Sequence, residues 1–145
     1  LQGCTGPVDV VHATGGAIPP AGAAALVVTI HDLAPLHAPD WFTSRGVRLM
    51  SRAFDLARAE ADMILVPSEA TAAECRSRGI GDDRLRVVPW GVTPVAVDDA
   101  TRAEVRARYD LPSEFALWVG TAEPRKNLDT LVTAAGRMES SLPLV

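Results

Sequence analysis

The sequence predicts an α/β protein in which buried parallel strands alternate with helices. Short apolar runs recur along the chain, and they are continuous rather than alternating, which is typical of strands buried on both faces. Segments with apolar residues at helical spacing separate these runs. The composition agrees, because 48% hydrophobic and 22% charged residues in a chain of 145 are ordinary values for a globular protein.

The predicted strands are five apolar runs and one shorter run at the end of the chain. Turn residues or helical patterns bound each of them. They occupy residues 8–12, 25–30, 63–66, 85–89, 115–119 and 142–145. The chain starts without Met and stops inside the last of these runs, so we expect an internal fragment of a longer protein.

Helical patterns fill the spaces between the strands. In the first of them, apolar residues recur at spacings of three and four and form one stripe that should pack on a sheet. The helices are predicted at residues 43–61, 69–78 and 100–109. The expected N-caps are Ser68 for the second helix and Asp98 or Asp99 for the third, with Gly79 as the stop of the second.

Charge and cysteine usage exclude several classes of protein. The net charge of −4 argues against a general nucleic-acid binder, which is usually basic. No run reaches the roughly 18 apolar residues of a membrane span. Cys4 and Cys75 are isolated and lack metal or redox spacing, so we expect reduced thiols of a cytoplasmic protein.

The segment FALWVGTAEPRKNLDTLVTAA, residues 115–135, carries the strongest chemical signal. An apolar run ends at Gly120 and Thr121, and the basic pair Arg125 and Lys126 follows. A helical pattern begins after Asn127, its expected N-cap. The first amides of a helix lack internal partners and attract anions. A phosphate or diphosphate site is therefore predicted here.

A solvated basic turn is the plain alternative for Arg125 and Lys126. The loop contains neither the GxxxxGK[ST] pattern of a P-loop nor the GxGxxG pattern of a dinucleotide site, since Gly120 stands alone. The residues by themselves do not name the ligand.

Several ordered motifs together resemble family 4 retaining glycosyltransferases of the GT-B fold, most closely their mannosyltransferase-like members. Besides residues 115–135, they are VVTIHDLAPLHAPDWF (27–42), ADMILVPSEATAAECRSRGI (61–80) and RLRVVPWGV (84–92). The resemblance extends from about Val8 to Val145. It implies two Rossmann-like parallel-sheet domains, both incomplete here.

The implied domain boundary lies in a connector at residues 92–98, where helical and strand periodicity is lost. Residues 1–95 would be the C-terminal part of the acceptor-side domain. Residues 96–145 would begin the nucleotide-sugar donor domain. The acidic motif of two Glu eight positions apart would lie beyond Val145, so we expect this fragment alone to be inactive.

The resemblance also implies an activity. A sugar, with mannose favoured, would move from a nucleoside diphosphate sugar to a saccharide or lipid-linked acceptor with retention of configuration, without cofactor or metal. A lipid-linked acceptor would place the protein at the inner face of the membrane. Arg45, Arg48 and Arg52 form a basic face for peripheral membrane contact, although a solvated face is the favoured interpretation.

In the first domain, the resemblance gives roles to His31 and Ser68, and Asp32 is expected to support His31. His31, directly after a predicted strand, would lie near the anomeric centre as a hydrogen-bond donor or electrostatic aid. Asp32 would orient His31 or cap the loop. Ser68 would lie near the interdomain cleft as one of the residues that bind the donor, while also serving as a helix N-cap.

In the second domain, Arg125 and Lys126 match the family's basic pair that holds the donor diphosphate. They would neutralise charge on the leaving group. Gly120 would allow close approach of the backbone, and Thr121 would offer a hydroxyl. Glu123 receives no role, because a carboxylate beside phosphates repels them unless it turns away.

Two other functions remain open at this point. A non-catalytic nucleotide- or sugar-phosphate-binding module would use Arg125 and Lys126 without a reaction. A nicotinamide-dependent enzyme is disfavoured by the missing GxGxxG pattern. Two Glu eight positions apart in the downstream sequence would favour the transferase.

Overall fold

The computed structural model describes residues 6–138 and 142–145, and these divide between two compact units, Leu1–Gly91 and Val92–Val145. Cys4 lies outside the described residues. The expected assignment of 1–95 to an acceptor side and of 96–145 to a donor side stays a prediction.

The first unit is built on a four-stranded parallel sheet. Its strands lie in the order β1-β2-β3-β4. They are β1 (Val10–Ala13), β2 (Ala25–Thr29), β3 (Met63–Val66) and β4 (Leu85–Val87). Val10 pairs with Ala25, Val27 with Met63, and Ile64 with Leu85. The predicted α/β class is confirmed, and each of the first four predicted strands is present with ends shifted by at most two residues.

Helices connect β2 to β3 and β3 to β4. They are the single turn α1 (Ala34–His37), α2 (Ser44–Glu60) and α3 (Glu69–Ser77), and 3-10 turns lie at Pro39–Trp41 and Asp82–Arg84. The Oγ1 atom of Thr43 accepts a hydrogen bond from the Gly46 amide at 3.1 Å and starts α2. Gly79 follows α3 with φ of 89°, the left-handed conformation expected of a helix stop.

The core lies on one face of the sheet. Apolar residues of α2 and α3, such as Phe54 and Cys75, pack into the same buried cluster as alternate residues of the strands. Burial alternates along β1, β2 and β3, and Val10 is 54% exposed. The prediction of strands buried on both faces is therefore wrong for this unit, because the buried cluster of the described residues covers one face only.

The second unit contains α4 (Asp99–Tyr109), the 3-10 turn Pro124–Lys126 and α5 (Leu128–Arg137). Asp98 caps α4, since its Oδ1 atom accepts a hydrogen bond from the Thr101 amide at 2.7 Å. This confirms one of the two caps proposed from the sequence. Asp110 ends the helix in the left-handed conformation, with φ of 49°.

The buried strand predicted at residues 115–119 is not present as such. Ala116 forms an isolated parallel bridge with Leu144, and Leu117 and Val119 are 66% and 83% exposed. A strand is buried on both faces only where further strands and helices cover it. Within the described part of this unit, residues 143–145 supply the backbone hydrogen-bond partners of Ala116 and Trp118.

No helix in the described ranges has both the length and the apolar character needed to cross a membrane.

Candidate functional site

The carboxyl ends of the four parallel strands meet at one edge of the first unit, where ligands bind in open α/β sheets. Thr14 directly follows β1, and His31 follows β2 after one residue. Ser68 lies two residues beyond β3, and Trp90 lies three residues beyond β4. Each strand is thus followed by one polar or aromatic residue at this edge.

His31 is exposed and held at one ring nitrogen. Its Nε2 atom lies 2.7 Å from the carbonyl oxygen of Thr14. A carbonyl oxygen only accepts, so Nε2 carries the proton and donates. In the neutral ring Nδ1 is then a hydrogen-bond acceptor, and the described residues supply no hydrogen-bond partner for it.

Trp90 contacts His31 across the sheet edge. Their ring centroids are 5.2 Å apart with an interplanar angle of 66°, an edge-to-face arrangement. Strands β2 and β4 lie about 10 Å apart, because β3 separates them. The two side chains therefore lean toward each other over the end of β3. Trp90 remains 66% exposed.

Ser68 is tied to the same edge through Thr71. Its Oγ atom accepts a hydrogen bond from the Thr71 amide at 3.2 Å, which confirms the predicted N-cap of α3. The Thr71 hydroxyl is 3.1 Å from Ser68 Oγ and 3.5 Å from the carbonyl oxygen of His31. Thr71 is buried, and its hydroxyl joins the loop that follows β2 to the loop that follows β3.

Asp32 caps the loop after β2. Its Oδ1 atom accepts a hydrogen bond from the Ala34 amide at 3.0 Å. Of the two roles expected from the sequence, the loop cap is confirmed.

In the second unit, Glu123 binds two of the residues predicted to hold phosphate. The Thr121 hydroxyl donates to its Oε1 atom at 2.6 Å, and Arg125 Nε donates to its Oε2 atom at 2.7 Å. These two hydrogen bonds, the Thr121 bond first, lower the pKa of Glu123 below its ordinary value. The carboxylate occupies positions on Thr121 and Arg125 where a phosphate oxygen could bind.

Arg125 and Lys126 lie in the exposed 3-10 turn Pro124–Lys126, directly before α5. Gly120 serves a local packing need, because a Cβ atom there would lie 3.0 Å from Cζ2 of Trp118. The missing side chain therefore makes room for the indole ring of Trp118.

Asn127 lies at the predicted N-cap position, but its side chain does not cap the helix. Asn127 does occupy the N-cap position of α5, but its backbone is left-handed, with φ of 50°, and no side chain caps the helix. Its Oδ1 atom instead accepts a hydrogen bond from the Thr130 hydroxyl at 2.8 Å. The first amides of α5 consequently have no side-chain acceptor, which suits an external anion.

The structure thus brings His31 and Ser68 together at the edge of the first unit, through Thr71. It brings Thr121, Arg125 and Lys126 together in one loop of the second unit. Among residues 6–138 and 142–145, no three His, Cys, Asp or Glu side chains gather in a way that could hold a metal ion.

A comparison with protein-family models matches residues 5–95 to Glycosyltransferase Family 4. This match covers more than half of the chain. The chain belongs to glycosyltransferase family 4. Searches of curated proteins and of solved structures give no match.

Membership in family 4 makes the protein a glycosyltransferase with sugar donor and acceptor substrates. The matched residues include His31, Ser68 and Trp90, so the sheet edge of the first unit lies inside the family 4 domain. Arg125 and Lys126 lie outside the matched range.

Trp90 and Glu123 are the site residues whose contacts sequence reasoning missed. The signal for Trp90 was the sequence Pro-Trp-Gly close after a predicted strand, which places an aromatic residue at the carboxyl edge of this glycosyltransferase's sheet. For Glu123 the signal was its spacing, two residues from both Thr121 and Arg125.

Proposed function

We propose that the protein transfers a hexose, with mannose the favoured sugar, from a nucleoside diphosphate sugar to a saccharide or lipid-linked acceptor with retention of configuration. The observation that carries the proposal is the basic turn at Arg125 and Lys126 directly before the uncapped start of α5. Two full positive charges and the free amides of a helix N-terminus favour a diphosphate at this position.

The reaction leaves negative charge on the departing nucleoside diphosphate. Arg125 and Lys126 stabilise this charge as it develops, which lowers the barrier without a metal ion. Thr121 offers a hydroxyl to a phosphate oxygen once its bond to Glu123 is exchanged. Arg125 likewise changes partner from a carboxylate oxygen to a phosphate oxygen, so much of its geometry is set before the donor binds.

At the edge of the first unit, His31 acts on the sugar rather than on the nucleotide. The bond from Nε2 to Thr14 orients the ring and leaves Nδ1 for a sugar hydroxyl or for electrostatic support near the anomeric carbon. Ser68, held by its bond to Thr71, adds a hydroxyl to the donor side of this site.

Contact with the membrane surface is part of the proposal for a lipid-linked acceptor, with the reaction at the inner face. Arg45, Arg48 and Arg52 are exposed on α2, and no ion pair between residues that the structure describes involves them. Sedimentation with vesicles tests this: we expect binding to phosphatidylglycerol vesicles and none to phosphatidylcholine vesicles. If equal amounts of protein sedimented with both kinds of vesicle, the basic face of α2 would be a solvated surface.

The function is tested by incubating the complete protein with a panel of nucleoside diphosphate sugars and saccharide acceptors and by assigning the product anomer by NMR. Arg125→Ala and Lys126→Ala should each lower turnover on the order of 100-fold. Arg102→Ala is the matched control, because Arg102 is an exposed arginine of the same unit paired with Asp99.

Calorimetric binding of nucleoside diphosphates separates the alternatives. Binding without turnover of any donor would favour a non-catalytic binding module. If the Arg125 and Lys126 variants bind and turn over donors like Arg102→Ala, the basic turn is solvated surface and the proposal is refuted.

A further inference from the structure

Trp90 is an exposed aromatic ring at the sheet edge of the first unit. Tryptophan side chains are usually mostly buried, because their area dominates packing. Trp90 nevertheless keeps 66% of its surface exposed, more than Trp41 at 49%. Its ring contact in the structure is the edge-to-face one with His31.

The position of the ring is defined by the fold. Trp90 follows β4, and its ring contacts that of His31, which follows β2, so this contact bridges residues from the two strands on either side of β3. Hydrogen-bonding groups lie at the same edge of the sheet: the ring of His31, the carbonyl oxygen of Thr14 that orients it, and Ser68, which is linked to His31 through Thr71. An apolar ring face thus lies next to a row of polar groups.

We propose that the indole face of Trp90 is a stacking surface for a pyranose ring of the saccharide substrate, an inference that rests on the proposed function. One face of a pyranose presents several C–H bonds, and its rim presents hydroxyl groups. The C–H face packs on the indole, and hydroxyls at the rim bond to His31 Nδ1 and Ser68. Ligand sites commonly combine an aromatic wall with a few placed polar groups in this way.

A second protein is the alternative occupant of this segment. Val88 is 49% exposed and Val92 is 88% exposed, so a second protein could also cover this segment. The contact with His31 favours the sugar, since a ring nitrogen that faces solvent would lose its hydrogen-bond partners under an apolar protein surface. Glycosyltransferase family 4 membership supplies a sugar as the substrate.

The test observes Trp90 directly, by NMR of the indole N–H signals in the complete protein. The signal of Trp90 is assigned by its loss in Trp90→Phe, and that of Trp41 by its loss in Trp41→Phe. The probes are methyl α-D-mannopyranoside, GDP-mannose and GDP alone. We expect at least one of the two sugar-bearing probes to shift the Trp90 signal, while GDP alone leaves it in place.

The pattern of shifts identifies the source of the sugar. A shift with the methyl mannoside indicates the acceptor, and a shift with GDP-mannose alone indicates the donor sugar. In kinetics, Trp90→Ala should raise the KM for the saccharide or donor concerned about tenfold, since stacking on an aromatic face contributes that much. Trp90→Phe, which keeps an aromatic face, should lie closer to the parent, and Trp41→Ala is the matched control.

The inference is overturned if neither sugar-bearing probe moves the Trp90 signal. It is also overturned if Trp90→Ala behaves like Trp41→Ala toward sugars but changes the oligomeric state, which would make the segment a protein interface. Because the methyl mannoside is observed without turnover, a shift in the absence of any transferase activity would refute the proposed function and retain the stacking surface.

Discussion

Removing the hydroxyl of Ser68 should separate its structural role from its role in the site. Ser68 has extended backbone angles, φ −152° and ψ 159°, and its Oγ atom accepts a hydrogen bond from the Thr71 amide at 3.2 Å. Ser68→Ala deletes this cap and leaves the amide of Thr71 without its acceptor, although Thr71 is only 9% exposed. Loss of such a cap costs about 1 kcal/mol of the free energy of unfolding.

In a chain of this size that loss corresponds to a fall of about 3 °C in Tm. Ser68→Asp is the matched control. A carboxylate caps a helix as well as a serine does and also interacts favourably with the helix N-terminus. We therefore expect the Asp variant to unfold like the parent. Its negative charge should nevertheless repel a bound diphosphate and weaken donor binding.

Urea unfolding followed by circular dichroism measures the stability of both variants, and calorimetry measures their affinity for a nucleoside diphosphate. The cap reasoning is refuted if Ser68→Ala is as stable as the parent. A placement of Ser68 beside the donor is contradicted if Ser68→Asp binds the nucleotide with unchanged affinity.

The other predictions concern groups whose chemistry depends on one contact. Glu123→Gln should bind inorganic pyrophosphate more tightly in calorimetry, because the charge that holds Arg125 is gone; the control is the exposed Glu114→Gln, and unchanged affinity would count against competition by the carboxylate. His31→Ala should lower turnover but leave nucleoside diphosphate affinity unchanged, whereas the control His12→Ala should alter neither; a matching loss of affinity would place His31 on the nucleotide. Burial raises the pKa of Cys75 from 9.0 to about 11, so at pH 8 the native thiol should resist iodoacetamide until urea unfolds the chain, as mass spectrometry can show. Because the unfolded thiol ionises first, the free energy of unfolding should fall as the pH rises from about 9 toward 11. If Cys75 in the native protein were labelled as fast as in the unfolded chain, its protection by burial would be contradicted.

Local chemistry made some features predictable from the sequence. The caps at Ser68 and Asp98 each bind an amide only three residues ahead, and the stop at Gly79 depends on its own backbone conformation. The residue types at these positions were therefore enough to predict them. The strand β3 was predicted with its observed ends, Met63–Val66, because an apolar run there is bounded by polar and proline residues.

Features that depend on distant neighbours were not predictable. The exposure of Leu117 and Val119 depends on which strands cover them, and an apolar run alone carries no such information. The contact between His31 and Trp90 requires β4 to lie two strands from β2, a matter of sheet order. The pairing of Arg125 with Glu123 is local, and their spacing permits it, but it also depends on the side-chain conformations of an exposed turn, which the sequence does not specify.

The sheet order has a consequence for how this edge is assembled. Each strand pairs with the next one in the sequence, so the groups of this edge lie across the sheet in the order in which the chain supplies them. Thr14 and His31 follow the neighbouring strands β1 and β2, and Ser68 follows β3. Trp90 follows β4, on the far side of β3 from His31. A truncation before residue 85 would therefore remove the aromatic residue of the edge and keep its polar residues in the sequence.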